Sequence, residues 1–115
     1  NDILAAKEIY IGRYYIQRRK WIPAINRFRA VIDNYETTVY VEEALHRLVE
    51  VYYVLGLKDE AEKYANILGY NYGSSKWYEI TYSLFNKNYV TRKIKEDKNK
   101  SSIINKFKSL FDSDE

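Results

Sequence analysis

At 115 residues, with 46% hydrophobic and 30% charged residues, the chain is large and apolar enough for one buried core and too apolar for a disordered segment. Its net charge of +3 does not by itself imply a nucleic-acid partner, and the absence of cysteine removes disulfides, thiol nucleophiles and thiolate metal sites. No apolar run approaches the ~20 residues that cross a bilayer, and the chain starts without methionine, so a fragment is expected, with any targeting signal upstream.

Charge is unevenly spread. Residues 1–38 carry seven basic and four acidic groups, residues 39–75 three and six, and residues 76–115 nine and six. The outer thirds are therefore basic and the middle acidic.

Residues 3–19 predict a first helix. Leu4, Ile11 and Tyr15 share a face with the aliphatic stem of Lys7, and Ile9, Gly12 and Ile16 lie beside it. A glycine inside a helix costs about 1 kcal/mol against alanine, so Gly12 predicts close approach of a partner helix. The basic turn Arg18-Arg19-Lys20 follows, at the negative end of the helix dipole. A second helix starts near Ile22, with Pro23 in its first turn, where a missing N–H leaves no bond unmade. Its apolar stripe is Ala24, Ile25, Phe28, Val31 and Ile32; Arg27 and Arg29 fall off that stripe and are expected to be partly wet.

Thr37 or Thr38 is expected to cap a third helix by accepting an orphan backbone N–H. Glu42 and Glu43 suit its first turn, and Val41, Leu45, Leu48, Val49 and Tyr52 form its apolar face. Gly56 predicts a left-handed stop. Asp59 and Glu60 open a fourth helix with Ala61, Tyr64, Ala65 and Leu68 inward. Ser74 or Ser75 should cap a fifth helix over 75–89, with Trp77, Ile80, Leu84 and Phe85 on one face and Thr81 and Tyr82 at its margins. Residues 92–100 read as a basic linker. Residues 101–115 read as a short amphipathic helix, with Ile103, Ile104, Phe107, Leu110 and Phe111 on one face, and an acidic tail. Alone that helix is too short to be stable, so it is expected to dock on its own domain, another copy or a partner.

The first two helices repeat in the next two. Tyr15, Ala24, Phe28, Val31 and Tyr35 recur 37 residues later as Tyr52, Ala61, Ala65, Leu68 and Tyr72. The organisation expected is a helical domain over 1–91, built from units over about 3–36 and 39–73 and a capping helix over 75–89.

Few residues suggest chemistry. The single histidine, His46, has Glu42 and Glu50 four residues to either side, an array able to touch a metal, but it is expected on a solvated helix face. The carboxylate pairs Glu42/Glu43 and Asp59/Glu60 sit at helix starts, where the dipole suffices to explain them. No phosphate loop or nucleophile motif is present. No catalytic residue, cofactor or metal is expected. A nucleic-acid reading would rest on Lys87, Arg92, Lys93, Lys95, Lys98 and Lys100, which Glu96 and Asp97 interrupt. For the terminal amphipathic segment, Asp112, Asp114 and Glu115 argue against an anionic membrane and for a helical groove.

The spacing of Gly12, Tyr15, Ala24 and Phe28, matched by Val49, Tyr52, Ala61 and Ala65, resembles tetratricopeptide repeats. Glu8 and Leu45 depart from the tryptophan of that pattern, Glu36 and Gly73 from its proline, and the period of 37 exceeds the usual ~34. More closely, residues 3–78, through RYY, AINRF and EAL…LVE…YY…LGL…EA in this order and spacing, resemble the C-terminal half of the BamD family. These are tetratricopeptide-repeat lipoproteins of the outer-membrane β-barrel assembly machinery. Past residue 85 the resemblance fades.

The resemblance implies an all-α fold of hairpins stacked in a right-handed superhelix, and a non-enzymatic scaffold at the periplasmic face of the outer membrane. It implies a lipid anchor upstream of this chain and docking to a POTRA domain of the barrel-forming subunit, alongside other assembly lipoproteins. The alternative is a general repeat module binding extended peptides. The candidate partner-binding residues are Arg27 foremost, then Arg29, Arg18, Arg19, Lys20 and Trp21, because arginine and tryptophan are enriched where proteins meet.

Overall fold

Two helical hairpins lie side by side and a fifth helix covers one end of the pair. The computed structural model describes residues 1–86, as α1 (Asp2–Gln17), α2 (Trp21–Asn34), α3 (Tyr40–Val54), α4 (Lys58–Tyr72) and α5 (Lys76–Phe85). α1 pairs with α2 and α3 with α4; α2 packs on α3 to join the hairpins, and α5 rests on α3 and α4. The all-α hairpin architecture expected from the sequence is what forms. The expected basic linker and terminal amphipathic helix lie outside the described residues, as does the tail of the helix expected to reach residue 89; α5 itself closes at Asn86, whose N–H bonds the Tyr82 carbonyl.

The two hairpins turn in the same way. At the end of α3, the Leu57 N–H reaches the Tyr52 carbonyl at 2.9 Å and the Gly56 N–H the Tyr53 carbonyl at 3.0 Å. At the end of α1, Lys20 bonds Tyr15 and Arg19 bonds Ile16, both at 2.9 Å. Both are Schellman closures, which need a left-handed residue just past the helix. Gly56 supplies it at φ +79°; the equivalent residue of the first hairpin is Arg19, at φ +57°. A side chain in that conformation costs roughly 1 kcal/mol or more relative to glycine.

Other ends follow simple chemistry. Asn1 accepts from the Leu4 N–H at 3.0 Å, and Ser75 accepts from the Trp77 N–H at 3.0 Å, as expected for a serine cap. Pro23 sits in the first turn of α2. The threonine cap of α3 does not form. Val39 holds the N-cap position without a side-chain bond, and the Thr38 hydroxyl donates backward to the Tyr35 carbonyl at 2.8 Å, closing the end of α2 instead.

Close approach decides which face of α1 is buried. Ala5, Ile9, Gly12 and Ile16 face inward, whereas Leu4 is exposed and Ile11 and Tyr15 are half-buried. The face expected from hydrophobicity is thus displaced by one residue, or about 100°, because the small residues Ala5 and Gly12 let α2 come near. A methyl group at Gly12 would lie 2.6 Å from the Phe28 Cζ and 2.7 Å from its Cε1. The Phe28 ring fills the space that the missing side chain leaves, and it is wholly buried. The second hairpin exchanges the sizes: Val49 stands at the Gly12 position and Ala65 at the Phe28 position, both buried.

α3 is the central helix. Every residue from Glu43 to Val51 is buried, because α1, α2, α4 and α5 all pack on it. α5 also presents a different face from the one expected. Ile80, Thr81 and Ser83 are buried, Trp77 and Leu84 are half-buried, and Phe85 is exposed. Thr81 turns inward because a polar partner awaits it on α3.

Candidate functional site

The candidate residues divide into three places. Arg18, Arg19, Lys20 and Trp21 cluster at the turn between α1 and α2. The Arg18 guanidinium lies over the Tyr14 ring, 3.7 Å from its centroid, a cation–π contact that holds it against the α1 surface. Arg19 and Lys20 are exposed, Ile22 and Pro23 are exposed beside them, and Trp21 is half-buried against the core. Side chains of both kinds, cationic and apolar, therefore present on one hairpin end.

Arg27 lies six residues beyond Trp21, roughly 9 Å along the axis of α2. Its Nη1 donates to the Glu8 Oε1 on α1 at 3.0 Å, and its side chain keeps 40% of its exposure. Nε and Nη2 make no hydrogen bond among the described residues. Arg29 points elsewhere. It lies two residues further along α2, about 200° around the helix axis from Arg27, so the structure does not bring Arg27 and Arg29 together, and its charge acts on the Tyr52 phenol of the second hairpin. Glu8, which fixes Arg27, was legible in the sequence only as a departure from the repeat pattern.

The Tyr52 phenol stacks on Tyr64 with ring centroids 5.7 Å apart. Burial pushes it above its ordinary value of 10.0; Tyr64 pushes the same way, Arg29 opposes them, and Glu60 adds a further rise. The folded chain thus holds this proton more tightly than the unfolded chain. The stability this contributes is present below pH ~10 and is lost as pH rises through the folded value. Tyr52→Phe should therefore lose less stability than the parent between pH 9 and pH 11 in urea unfolding, and an equal loss would contradict this assignment.

A second polar constellation was not expected. His46 is 1% exposed, not solvated, because α3 has no solvent face at that point. Its Nε2 lies 2.8 Å from the Glu50 Oε2 and its Nδ1 2.7 Å from the Thr81 Oγ1. A carboxylate only accepts, so Nε2 carries the proton; in the neutral ring Nδ1 then accepts from the Thr81 hydroxyl. Arg47 donates to Glu43 through Nε at 3.1 Å and to Glu50 through Nη1 at 3.2 Å. Trp77 of α5 covers both side chains, with its ring 5.2 Å from the His46 ring and 5.3 Å from the Arg47 guanidinium carbon. Arg13 of α1 approaches Glu43 at 3.9 Å. The sequence signals were the i,i+4 pairs Glu43/Arg47 and His46/Glu50, which lie on one polar stripe of α3.

Hydroxyl, imidazole and carboxylate in a row have the makings of a nucleophilic triad. Here they cannot attack a substrate. Thr81 is fully buried and Glu50 nearly so. The surface depression lined by Gly73, Ser74, Lys76, Tyr78, Glu79 and Tyr82 does not reach them. The cluster instead bolts α5 to α3. Among the described residues no group of His, Asp and Glu could hold a metal ion, and no helix is long and apolar enough to cross a membrane.

The sequence profile of the family YfiO, an outer membrane lipoprotein, matches residues 1–67, which take in the whole first hairpin and most of the second. The chain belongs to the YfiO/BamD family. Outer membrane protein assembly factor BamD of Rickettsia prowazekii (strain Madrid E) is 58% identical over 89 residues, covering 77% of this chain and 35% of that protein. BamD of Caulobacter vibrioides is 47% identical over 88 residues, 76% of this chain and 29% of that protein. BamD of Neisseria meningitidis serogroup A is 36% identical over 74 residues, 64% of this chain and 28% of that protein. The chain thus spans about a third of the length of the curated BamD relatives it matches. No solved structure matches it significantly.

Proposed function

We propose that this chain is a non-enzymatic docking module in outer-membrane β-barrel assembly, and that its first hairpin holds the POTRA region of the barrel-forming subunit. Membership of a family whose relatives are outer membrane protein assembly factors supports the class of work. The observation that carries the docking role is Arg27. It is fixed through one nitrogen by Glu8, half-exposed, and retains Nε and Nη2 for a bidentate carboxylate. The module acts at the periplasmic face of the outer membrane, with the full-length protein lipid-anchored. It needs no cofactor.

The competing reading is a general repeat module that grips extended peptides. On the α3 face between α1 and α5, the Arg47 guanidinium is held by both Glu43 and Glu50, which leaves it poorly placed to clamp a peptide carboxylate. Co-purification with the barrel-forming subunit is the expected result. Hits on a peptide array with no such partner would favour the competing reading. Arg27→Glu is expected to weaken the POTRA interaction while lowering the melting temperature little, because exposed ion pairs contribute only about 0–1 kcal/mol.

A further inference from the structure

The two hairpins differ in kind at one matched pair of positions. Leu45 and Tyr64 stand 37 residues after Glu8 and Arg27, and both are buried in the core. The second hairpin therefore places apolar side chains where the first places an ion pair, Arg27 Nη1 to Glu8 Oε1 at 3.0 Å. The fold does not require that pair. A partly exposed pair contributes little to stability, and apolar side chains of similar size often replace one without loss. The Glu8 side chain is 22% exposed, so its carboxylate is drawn largely out of water for a bond that the second hairpin manages without.

The geometry of the pair shows what the carboxylate does. A loose arginine samples many rotamers, and fixing it at the moment of binding weakens a complex. Glu8 takes only Nη1. Nε and Nη2 form another edge of the planar guanidinium, one that can meet a carboxylate through two parallel bonds, and they make no hydrogen bond among the described residues. Glu8 thus restrains the side chain without occupying the edge it presents. Leu4 and Ile11 lie one turn to either side of Glu8 on α1, and Pro23 lies one turn before Arg27 on α2. Leu4 and Pro23 are exposed and Ile11 is half-buried, so the edge has apolar neighbours. Such a rim sheds water as a partner closes and strengthens the charged bonds inside it.

We infer that Glu8 is a positioning residue for docking: it holds the Arg27 guanidinium with the Nε/Nη2 edge outward, so that the first hairpin selects a partner aspartate or glutamate set in an apolar surround. This rests on the reading that the first hairpin docks the POTRA region. Leu45 and Tyr64 offer the second hairpin no such fork.

The test is a titration of the full 115-residue chain against the purified POTRA region, with a melting temperature for each variant. Glu8→Leu imports the residue of the second hairpin. It should melt at or above the parent and bind about three- to tenfold more weakly, the cost of ordering one long side chain on binding. Glu8→Gln keeps the shape and an oxygen that accepts from Nη1, so it should recover most of the affinity lost in Glu8→Leu. Unchanged binding in Glu8→Leu would overturn the inference. Tighter binding would do the same, by showing that Glu8 repels the incoming carboxylate more than it steadies the arginine. So would a melting temperature below that of the parent, which would assign the pair to the fold, or a Glu8→Gln chain that binds no better than Glu8→Leu. Arg27→Glu, run alongside, separates the two levels. If it leaves the affinity unchanged, the docking reading itself fails; if it weakens binding while Glu8→Leu does not, only the inference about Glu8 fails.

Discussion

Truncating Phe28 to alanine is expected to destabilise the chain by about 3–5 kcal/mol, the range for emptying a fully buried phenylalanine site. Phe28 is wholly buried, and its ring tip occupies the gap above Gly12, so no neighbouring side chain is poised to refill it. Gly12→Val should also destabilise, through the opposite fault: its Cβ would lie 2.6 Å from the Phe28 Cζ before any further atom is placed, and overpacking of this kind costs typically about 1–3 kcal/mol. The second hairpin has already solved the problem with Val49 and Ala65. Combining Gly12→Val with Phe28→Ala imports that solution. The double variant should therefore be more stable than the sum of the single costs predicts, by about 1 kcal/mol or more. Urea unfolding followed by far-ultraviolet circular dichroism reads all three. Strictly additive costs would show that the two positions do not share one space.

Glu50→Ala is expected to cost about 3–5 kcal/mol, whereas Glu8→Ala should cost less than about 1 kcal/mol. Both carboxylates accept from an arginine at similar distance, 3.2 Å for Glu50 with Arg47 and 3.0 Å for Glu8 with Arg27. Burial makes the difference. The Glu50 side chain is 3% exposed and the Glu8 side chain 22%. Removing Glu50 strips a partner from the buried Arg47 and from His46 Nε2 together, and water cannot replace it. The Glu8 pair is in reach of solvent, so its small contribution should vanish in 1 M salt, while the Glu50 effect should persist. Thermal melts of both variants at 0.1 M and 1 M salt decide this. A small, salt-sensitive effect at Glu50 would mean that the cluster does not bind α5 to α3.

The hairpins were legible in the sequence because repetition and turn chemistry are local. Pro23, Gly56 and Ser75 each act within a few residues of themselves, and each does what its chemistry demands. What escaped was set by neighbours distant in the chain. The buried face of α1 follows the approach of α2, and so favours Ala5 and Gly12 over Leu4. His46 is sealed by α5, 35 residues on, and periodicity within α3 does not announce that a fourth helix will cover its polar side. Thr38 could serve either the helix behind it or the one ahead, and the Tyr35 carbonyl won. For the candidate site, the arginines could be picked out as residues off the apolar stripe. Their grouping could not: Arg27 and Arg29 are two residues apart in sequence, yet one faces Glu8 and the other the Tyr52 side. The left-handed Arg19 became meaningful only beside its counterpart Gly56.

The central claim is that the first hairpin docks the barrel-forming subunit through Arg27. The most direct measurement is the dissociation constant of the chain with the purified POTRA region, for the parent, for Arg27→Glu, and for Lys63→Glu on α4 as a charge-matched control. The account predicts that Arg27→Glu weakens binding about tenfold or more, equivalent to about 1.4 kcal/mol. Lys63→Glu should leave the affinity near that of the parent, and both variants should melt close to it. An Arg27→Glu chain that binds as tightly as the parent, or that loses no more affinity than Lys63→Glu, would contradict the claim.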